Sequence, residues 1–525
     1  MTTGYVIGLE LNFNGFIYSN SSLFLLHHLQ QLNLANSYFS LALIPSGFDR
    51  LSSLTHLNLS NTCFSGQIPL DFSRLTRLVS LDLSMQENLC TPSLKLETPN
   101  LKALIQNLTS LTELFLDEVD LSAQGNDWSQ VLAQSLPNLR ALSLSNCNLS
   151  RPIHHSSFSQ LVLLSELRLD ENYLSVEAPK FLPNFSDLKI LSLRSCGLYG
   201  EFPSSVFRQP NLQILDVSNN SLLTGQLPES FGNLRFLMTL QLSRCNFAGP
   251  VSPSLANLTQ LTFLDLSFNS FTGSVPLFKS ISQLLKLEYL YLGTNNFSGT
   301  INLDMFGNLQ SLKTLDLSNN LLLSLEFGNT SFALPQLEGL FLGSCNLREF
   351  PNFLRTQDKL KNLDLSNNQI QGHLPSWIWK ETLSFVDLSY NNLSGLIPES
   401  ICKLTSLQIF VASYNNLSGS IPECLGNIGT LSILNLEGNR FHGMPQHFTS
   451  ASSLKTLDLN GNILEGQLPM SLANCKSLEI LDLGNNKIFD TFPFWLVELP
   501  MLQVLILRSN RLYGPIEPRR TPSNL

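Results

Sequence analysis

The sequence predicts an α/β solenoid in which short coils stack one upon another. Each coil would add one strand to a parallel inner β-sheet, then a short outer strand and a 3-10 turn or loop on the convex side. Three observations predict this. Apolar residues recur in a fixed pattern, mostly every 23 to 26 residues, along nearly all of the 525-residue chain. A polar or thiol residue stands at one fixed place in nearly every pattern, and a Leu-x-Gly-x-Ile-Pro turn closes many of them. Length alone would suggest about three domains, but a solenoid in which each coil touches only its neighbours can run this far. The expectation is therefore a single solenoid over residues 1–525.

Residues 383–406 display the pattern most clearly. Leu383, Val386 and Leu388 stand at offsets 0, 3 and 5, and the last two alternate at the period of a strand with one buried face. Asn391 follows at offset 8, where the chain must turn inward and its backbone needs new partners. A carboxamide supplies both a donor and an acceptor, so it is expected to bridge the coils above and below. Leu393, Gly395, Ile397 and Pro398 then make the turn: Gly permits the bend and Pro ends strand pairing, leaving room for a short second strand. The pattern resembles the leucine-rich repeat, in the variant special to plants.

Coils with this pattern begin at Val6, Leu29, Leu54 and Leu78, and continue to Leu502, giving 21 in all, with the pattern fading near Arg519. Thirteen of the 21 offset-8 residues are Asn and four are Cys, namely Cys147, Cys196, Cys245 and Cys345, which reads as a buried ladder. Residues 78–138 are irregular: the coil from Leu78 carries an insertion, the coil from Leu111 has extra residues around Trp128, and Gln86 and Val119 replace the ladder residue. Cys402 and Cys424 fall on the outer face of successive coils, close enough for a disulfide, a pairing that offset alone leaves open. Cys63, Cys90 and Cys475 have no obvious partner.

Composition narrows the function. Apolar residues make up 43% of the chain and the net charge is −9, which argues against nucleic acid as a partner. No apolar run reaches membrane-spanning length, and Met1–Ile7 shows neither a basic region nor an apolar core of a signal peptide. Glycosylation sequons at Asn20, Asn107, Asn148, Asn184, Asn257, Asn296, Asn329, Asn392 and Asn416 favour a secreted compartment, although several follow from the repeat itself. No kinase loop, Gly-x-Ser-x-Gly elbow, His-Glu-x-x-His or Cys-x-x-Cys occurs. His27–His28 and His154–His155 lack a carboxylate at ligand spacing. The recurring Asp at offset 4, as in Asp216 and Asp387, is one per coil by construction and reads as a solvated sheet face rather than an acid catalyst. No catalytic residue, metal site or cofactor is expected.

Binding is the natural use of such a surface. Offsets 2, 4, 6 and 7 face outward from the inner sheet, and between Leu111 and Leu342 they depart from the usual Asp, Ser and Asn. Phe115, Asp117 and Glu118 are followed by Glu166, Arg168, Asp170, Glu171, Arg194 and Arg244, then by Phe268, Tyr289, Tyr291 and Phe341. Exposed aromatics and arginines on a rigid sheet bury area at low entropic cost, so these are the candidate ligand contacts. Val411 and Ile506 also project outward and would belong to another patch.

Several phrases carry a narrower resemblance: Glu97-Thr-Pro-Asn-Leu, Leu139-Arg-Ala-Leu-Ser-Leu-Ser-Asn-Cys, Leu481-Asp-Leu-Gly-Asn-Asn-Lys-Ile-Phe-Asp-Thr-Phe-Pro and Leu505-Ile-Leu-Arg-Ser-Asn-Arg-Leu-Tyr-Gly. The chain is similar to plant receptor-like proteins of the Verticillium wilt resistance and Cf type. That resemblance implies a non-catalytic cell-surface immune receptor at the plasma membrane, sensing a protein or peptide elicitor on its extracellular side. It implies signalling through an adaptor receptor kinase and a co-receptor kinase. Relative to that family, the N-terminal cap, island region, transmembrane helix and tail are expected to be absent from these residues. Two other readings stand beside it: a soluble inhibitor of secreted cell-wall hydrolases, and the ectodomain of a peptide-sensing receptor kinase.

Overall fold

The computed structural model describes residues 4–86, 90–91, 93–150, 153, 155–327 and 334–516, apart from the side chains of Asn126 and His155. It divides into two compact units, residues 1–272 and 273–525. In both, every coil places a three-residue strand at offsets 2 to 4, as the alternation of apolar residues dictates.

In the first unit, eleven such strands run from Gly8–Glu10 to Phe263–Asp265 among the described residues. Each is parallel to the next and in matching register: Leu9 pairs with Leu32, Leu32 with Leu57, Leu57 with Leu81 and Leu81 with Leu114. The second unit has ten, from Tyr289–Tyr291 to Val504–Ile506, paired in the same way. Register is fixed because the central residue of each strand points into the core; a slip by one residue would expose it. Leu383, Val386, Leu388 and Leu393 are all fully buried, as offsets 0, 3, 5 and 10 require.

Behind the strands the chain returns through short turns. Most are 3-10 helices opened by the proline of the turn motif, such as Glu399–Lys403 after Pro398. Phenylalanines fill the space under these turns: Phe24, Phe48 and Phe72 meet edge to face at 5.2 and 4.9 Å. Short second strands flank them. Tyr199–Glu201 pairs with Leu222–Gly225 in the first unit, and Gln371–His373, Asn392–Gly395 and Asn416–Ser420 pair in sequence in the second. Within residues 78–138 the return path instead carries two α-helices, Leu101–Ile105 and Trp128–Ser135. Trp128 is 1% exposed and packs edge to face on Phe158 at 6.1 Å.

The ladder behaves differently from expectation in one respect. Each asparagine was expected to reach both neighbouring coils, but its carboxamide serves the preceding coil and its own turn. Asn391 Nδ2 donates to the carbonyls of Leu365, Leu388 and Ser389, and its Oδ1 accepts from the Ile370 amide. Donor and acceptor are both engaged, and the next coil is served by its own Asn415. The ladder cysteines do half of this: Cys196 Sγ donates to the Leu169 and Arg194 carbonyls. Burial pushes these thiols well above their ordinary range, so they remain protonated hydrogen-bond donors.

Two disulfides are present. Cys402 and Cys424 are bonded on the outer side, with Cα atoms 5.5 Å apart. Cys63, which has no obvious partner in the sequence pattern, is bonded to Cys90. Cys90 sits in the insertion of an irregular coil, where repeat offsets no longer report position. Cys475 is buried and free.

Candidate functional site

The candidate residues of the first unit fall on the strand face as their offsets require, and all are at least partly exposed. Six of them line one open hollow of about 500 Å³: Asp117, Glu118, Arg168, Asp170, Glu171 and Arg194. Met85, Ser145, Asn146, Ser192 and Asp216 complete it. Phe115 lies instead in a neighbouring hollow with Asn33, His56, Asn58 and Asp82. Arg244 and Phe268 pair with each other, the guanidinium 4.2 Å above the ring centroid, and Phe268 remains 43% exposed.

The arginines are not free anchors. Arg168 Nε donates to Glu166 Oε1 at 2.7 Å along its own strand, and Arg194 Nη2 donates to Glu171 Oε1 at 2.5 Å across coils. Such half-exposed pairs contribute little stability, but they hold the guanidinium groups in one orientation. The hollow as a whole remains acidic.

Two of the carboxylates also have a structural task. In an ordinary coil the offset-4 Asp caps its own turn: Asp387 Oδ1 accepts from the Ser389 amide at 2.9 Å and hydroxyl at 2.6 Å. The coils of Ser143 and Ser192 lack that Asp. There the preceding coil's offset-6 Asp stands in. Asp117 Oδ1 accepts from Ser143 Oγ and the Ser145 amide, both at 2.6 Å, and Asp170 Oδ1 from Ser192 Oγ at 2.6 Å and the Arg194 amide at 2.8 Å. The signal was in the sequence: Asp at offset 6 followed by Ser at offset 4 of the next coil.

Of the offset-4 aspartates, Asp216, which caps Ser218 in the same way, is buried and Asp387 is half-buried, which corrects their reading as a freely solvated face. Desolvation raises the pKa of Asp117 and Asp216 above the usual carboxylate value, and hydrogen bonds from serines draw it partly back.

A further regularity concerns offset 7. In most coils the residue there takes a left-handed backbone, with φ of 66° at Glu118, 58° at Glu171, 52° at Arg244 and 53° at Phe268. Asn and Gly enter this region most readily. Charged and aromatic residues there place large side chains on the exposed face.

In the second unit Tyr289, Tyr291 and Phe341 are half-buried on the strand face, with the Lys313 ammonium 5.7 Å from the Tyr289 ring. Lys313 also pairs with Glu288 at 2.5 Å.

Eight sequon asparagines, Asn20, Asn107, Asn148, Asn184, Asn257, Asn296, Asn392 and Asn416, are exposed. Asn329 lies outside the described residues, as does His154. His27 Nδ1 lies 3.3 Å from the Arg50 carbonyl, and the His28 ring packs on Tyr5 at 3.9 Å. Among the described residues no group of His, Cys, Asp and Glu has metal-site geometry, and no helix is long and apolar enough to cross a membrane.

Comparison with known proteins places this geometry in context. Residues 121–298 match the model of a leucine-rich repeat region, and further leucine-rich repeat models match residues 53–75, 359–380, 382–404, 406–428, 429–488 and 452–512. Receptor-like protein 39 of Arabidopsis thaliana is 33% identical over 473 residues, covering 90% of this chain and 49% of that protein. The chain spans about half the length, or less, of the curated relatives it matches. Among solved structures, the PEPR1–AtPEP1 complex aligns with a TM-score of 0.64 at 30% identity, over 93% of this chain and 66% of that one. The Arabidopsis receptor kinase HAESA ectodomain, solved with an extended IDA peptide hormone, aligns with a TM-score of 0.62 at 27% identity, over 96% and 82%.

Proposed function

We propose, from the premise that this chain belongs to the leucine-rich-repeat receptor-like proteins of plants, that it is the ligand-recognising part of a cell-surface immune receptor. Its ligand is a protein or peptide elicitor, bound by the charged hollow of the first unit, and it acts without catalysis. Output passes to an adaptor receptor kinase and a co-receptor kinase at the plasma membrane.

The observation that carries this reading is the hollow itself. Arg168 and Arg194 are held in place by Glu166 and Glu171, beside the carboxylates of Glu118 and Asp170. Donors and acceptors of both signs recur at the inter-strand spacing, which suits the regularly spaced polar groups of an extended polypeptide. One solved neighbour, the HAESA ectodomain, was crystallised with a peptide hormone, which supports a peptide-sized ligand.

The test is a charge reversal of both arginines, R168E with R194E, in the full-length receptor expressed in leaves. Pools of peptides from secreted microbial proteins are applied and the oxidative burst is recorded. The double variant should lose the response at equal surface abundance. An undiminished burst would remove the hollow from the recognition site.

A further inference from the structure

The second unit carries another surface that the hollow does not explain. Among its left-handed offset-7 residues, Asn367 is followed by Tyr390, Tyr414, Gly438 and Gly461. Two successive tyrosines thus stand in a backbone region that Asn and Gly enter most readily. Their rings stack at 4.6 Å and 17°, yet Tyr390 is 54% and Tyr414 42% exposed. The row then drops. The Tyr414 ring lies over Gly438, where an added Cβ would meet it at 2.9 Å, and a Cβ on Gly461 would have only Gly438 backbone within 4 Å. The aromatic row thus ends in a step with a bare floor.

Acidic groups edge this step. Tyr414 donates its hydroxyl to Glu437 Oε1 at 2.7 Å. Asp458 and Asp482 stand side by side on adjacent strands. Asp458 Oδ1 accepts from the Asn460 amide, and Asp482 Oδ2 from Asn460 Nδ2. Among the described residues, none of Glu437, Asp458 and Asp482 forms an ion pair. The nearby lysines are engaged elsewhere, Lys455 with Glu479 and Lys487 with Glu465. Burial, together with the charges of Glu437 and Asp482, raises the Asp458 pKa to about 6. Negative charge has therefore been gathered here without a counter-ion. Beside it, Phe385, Ile409 and Ile433 occupy one register position on three consecutive strands, half-exposed.

We propose that the exposed face of Tyr414, the step at Gly438–Gly461 and the carboxylates of Glu437, Asp458 and Asp482 form a docking surface for an arginine side chain of an extended protein segment. An apolar neighbour of that arginine lies on the strip of Phe385, Ile409 and Ile433. The chemistry selects this occupant. A planar guanidinium stacks on an aromatic face and makes charge-assisted bonds to several carboxylates at once, which an ammonium does less well and a neutral side chain does without the charge. Charge complementarity rules against an acidic or phosphorylated segment, because a like charge brought among three carboxylates is repelled. The extended form follows from the layout, since step and strip are each built from consecutive coils.

Fluorescence polarisation tests the proposal on the full chain. The probes are a labelled Gly-Ser-Leu-Arg-Leu-Ser-Gly amide and its twin with citrulline, the neutral analogue, in place of arginine. The arginine peptide should bind about tenfold or more tightly than the citrulline peptide. E437Q and Y414A should each remove most of that difference, Y414F should keep it, and R168E with R194E should leave it unchanged. That last pair separates this surface from the hollow of the first unit, so either reading can fail alone. E437Q is close to isosteric, so the test survives if Y414A does not fold. Equal binding of the two peptides, no saturable binding of either, or a full preference retained by E437Q would overturn the proposal.

Discussion

Residues 78–138 and residues 360–430 build the same inner strand from different outer material. In the first stretch the return path is long, holds the helices Leu101–Ile105 and Trp128–Ser135, and Val119 stands where the ladder asparagine belongs. In the second, short 3-10 turns such as Glu399–Lys403 and Glu423–Gly426 alternate with second strands, and Asn368, Asn391 and Asn415 keep the ladder complete. Yet Leu81, Leu114 and Leu142 meet in register exactly as Leu363, Val386 and Phe410 do. Inner register is therefore set by the buried strand residue and its immediate neighbours. The outer path is free to lengthen.

The largest test of that separation is truncation of core residues on either side of the comparison. Replacing Trp128 with Ala should cost about 3–5 kcal/mol and Leu388 with Ala about 2–5 kcal/mol, through the cavities left behind. Denaturant unfolding followed by hydrogen exchange would check both. Trp128→Ala should loosen its own outer helix while the amides of Glu113–Phe115 stay protected. Loss of protection there would break the claim that outer and inner sides are independent.

A smaller effect is expected at the ladder. Asn391→Ala leaves the Ile370 amide without its acceptor, while the Leu365, Leu388 and Ser389 carbonyls keep other donors, at a cost of about 1–3 kcal/mol. In the irregular stretch the corresponding variant is Asp117→Ala, which strands the Ser145 amide and should cost toward the lower end of that range. Thermal unfolding of the two variants side by side would show whether a cap supplied from the preceding coil is worth as much as a ladder residue.

The smallest effect is on pH dependence. The folded-state pKa of Asp458 is raised to about 6, so its contribution is fully present below the unfolded value near 3.8. It is lost as pH rises through about 6. Wild-type protein should therefore lose stability over that interval, on the order of 1 kcal/mol after discounting for solvent screening. Asp458→Asn should flatten the curve there. An unchanged slope in melting temperature against pH would mean that the charge of Asp458 is compensated.

Much of this architecture was legible from the chain alone, for a physical reason. A coil's strand, core and ladder are dictated by residues within one repeat, so Leu383, Val386, Leu388 and Asn391 declare their places by spacing. What spacing does not report is where side chains go once exposed. Arg168 and Arg194 stood out as anchors, but their pairing with Glu166 and Glu171 depends on rotamers rather than offsets. The partnership of Cys63 with Cys90 was hidden because an insertion destroys the offset count. The capping role of Asp117 and Asp170 was visible only by comparing each coil with the next.

The left-handed residue before most ladder positions has a consequence for how this surface can change over generations. Its amide donates to a carbonyl of the following coil whatever its side chain: Glu171 to Arg194, Asn219 to Ser243, Arg244 to Ser267, Tyr390 to Ser413. The backbone there is thus held by its neighbour and is indifferent to residue identity, apart from the local cost of a non-glycine in that conformation. Asn, Ser, Glu, Arg, Phe and Tyr all occupy the position in this one chain. A lineage under pressure to recognise new molecules can rewrite those side chains one codon at a time, and each change leaves strand pairing and core untouched.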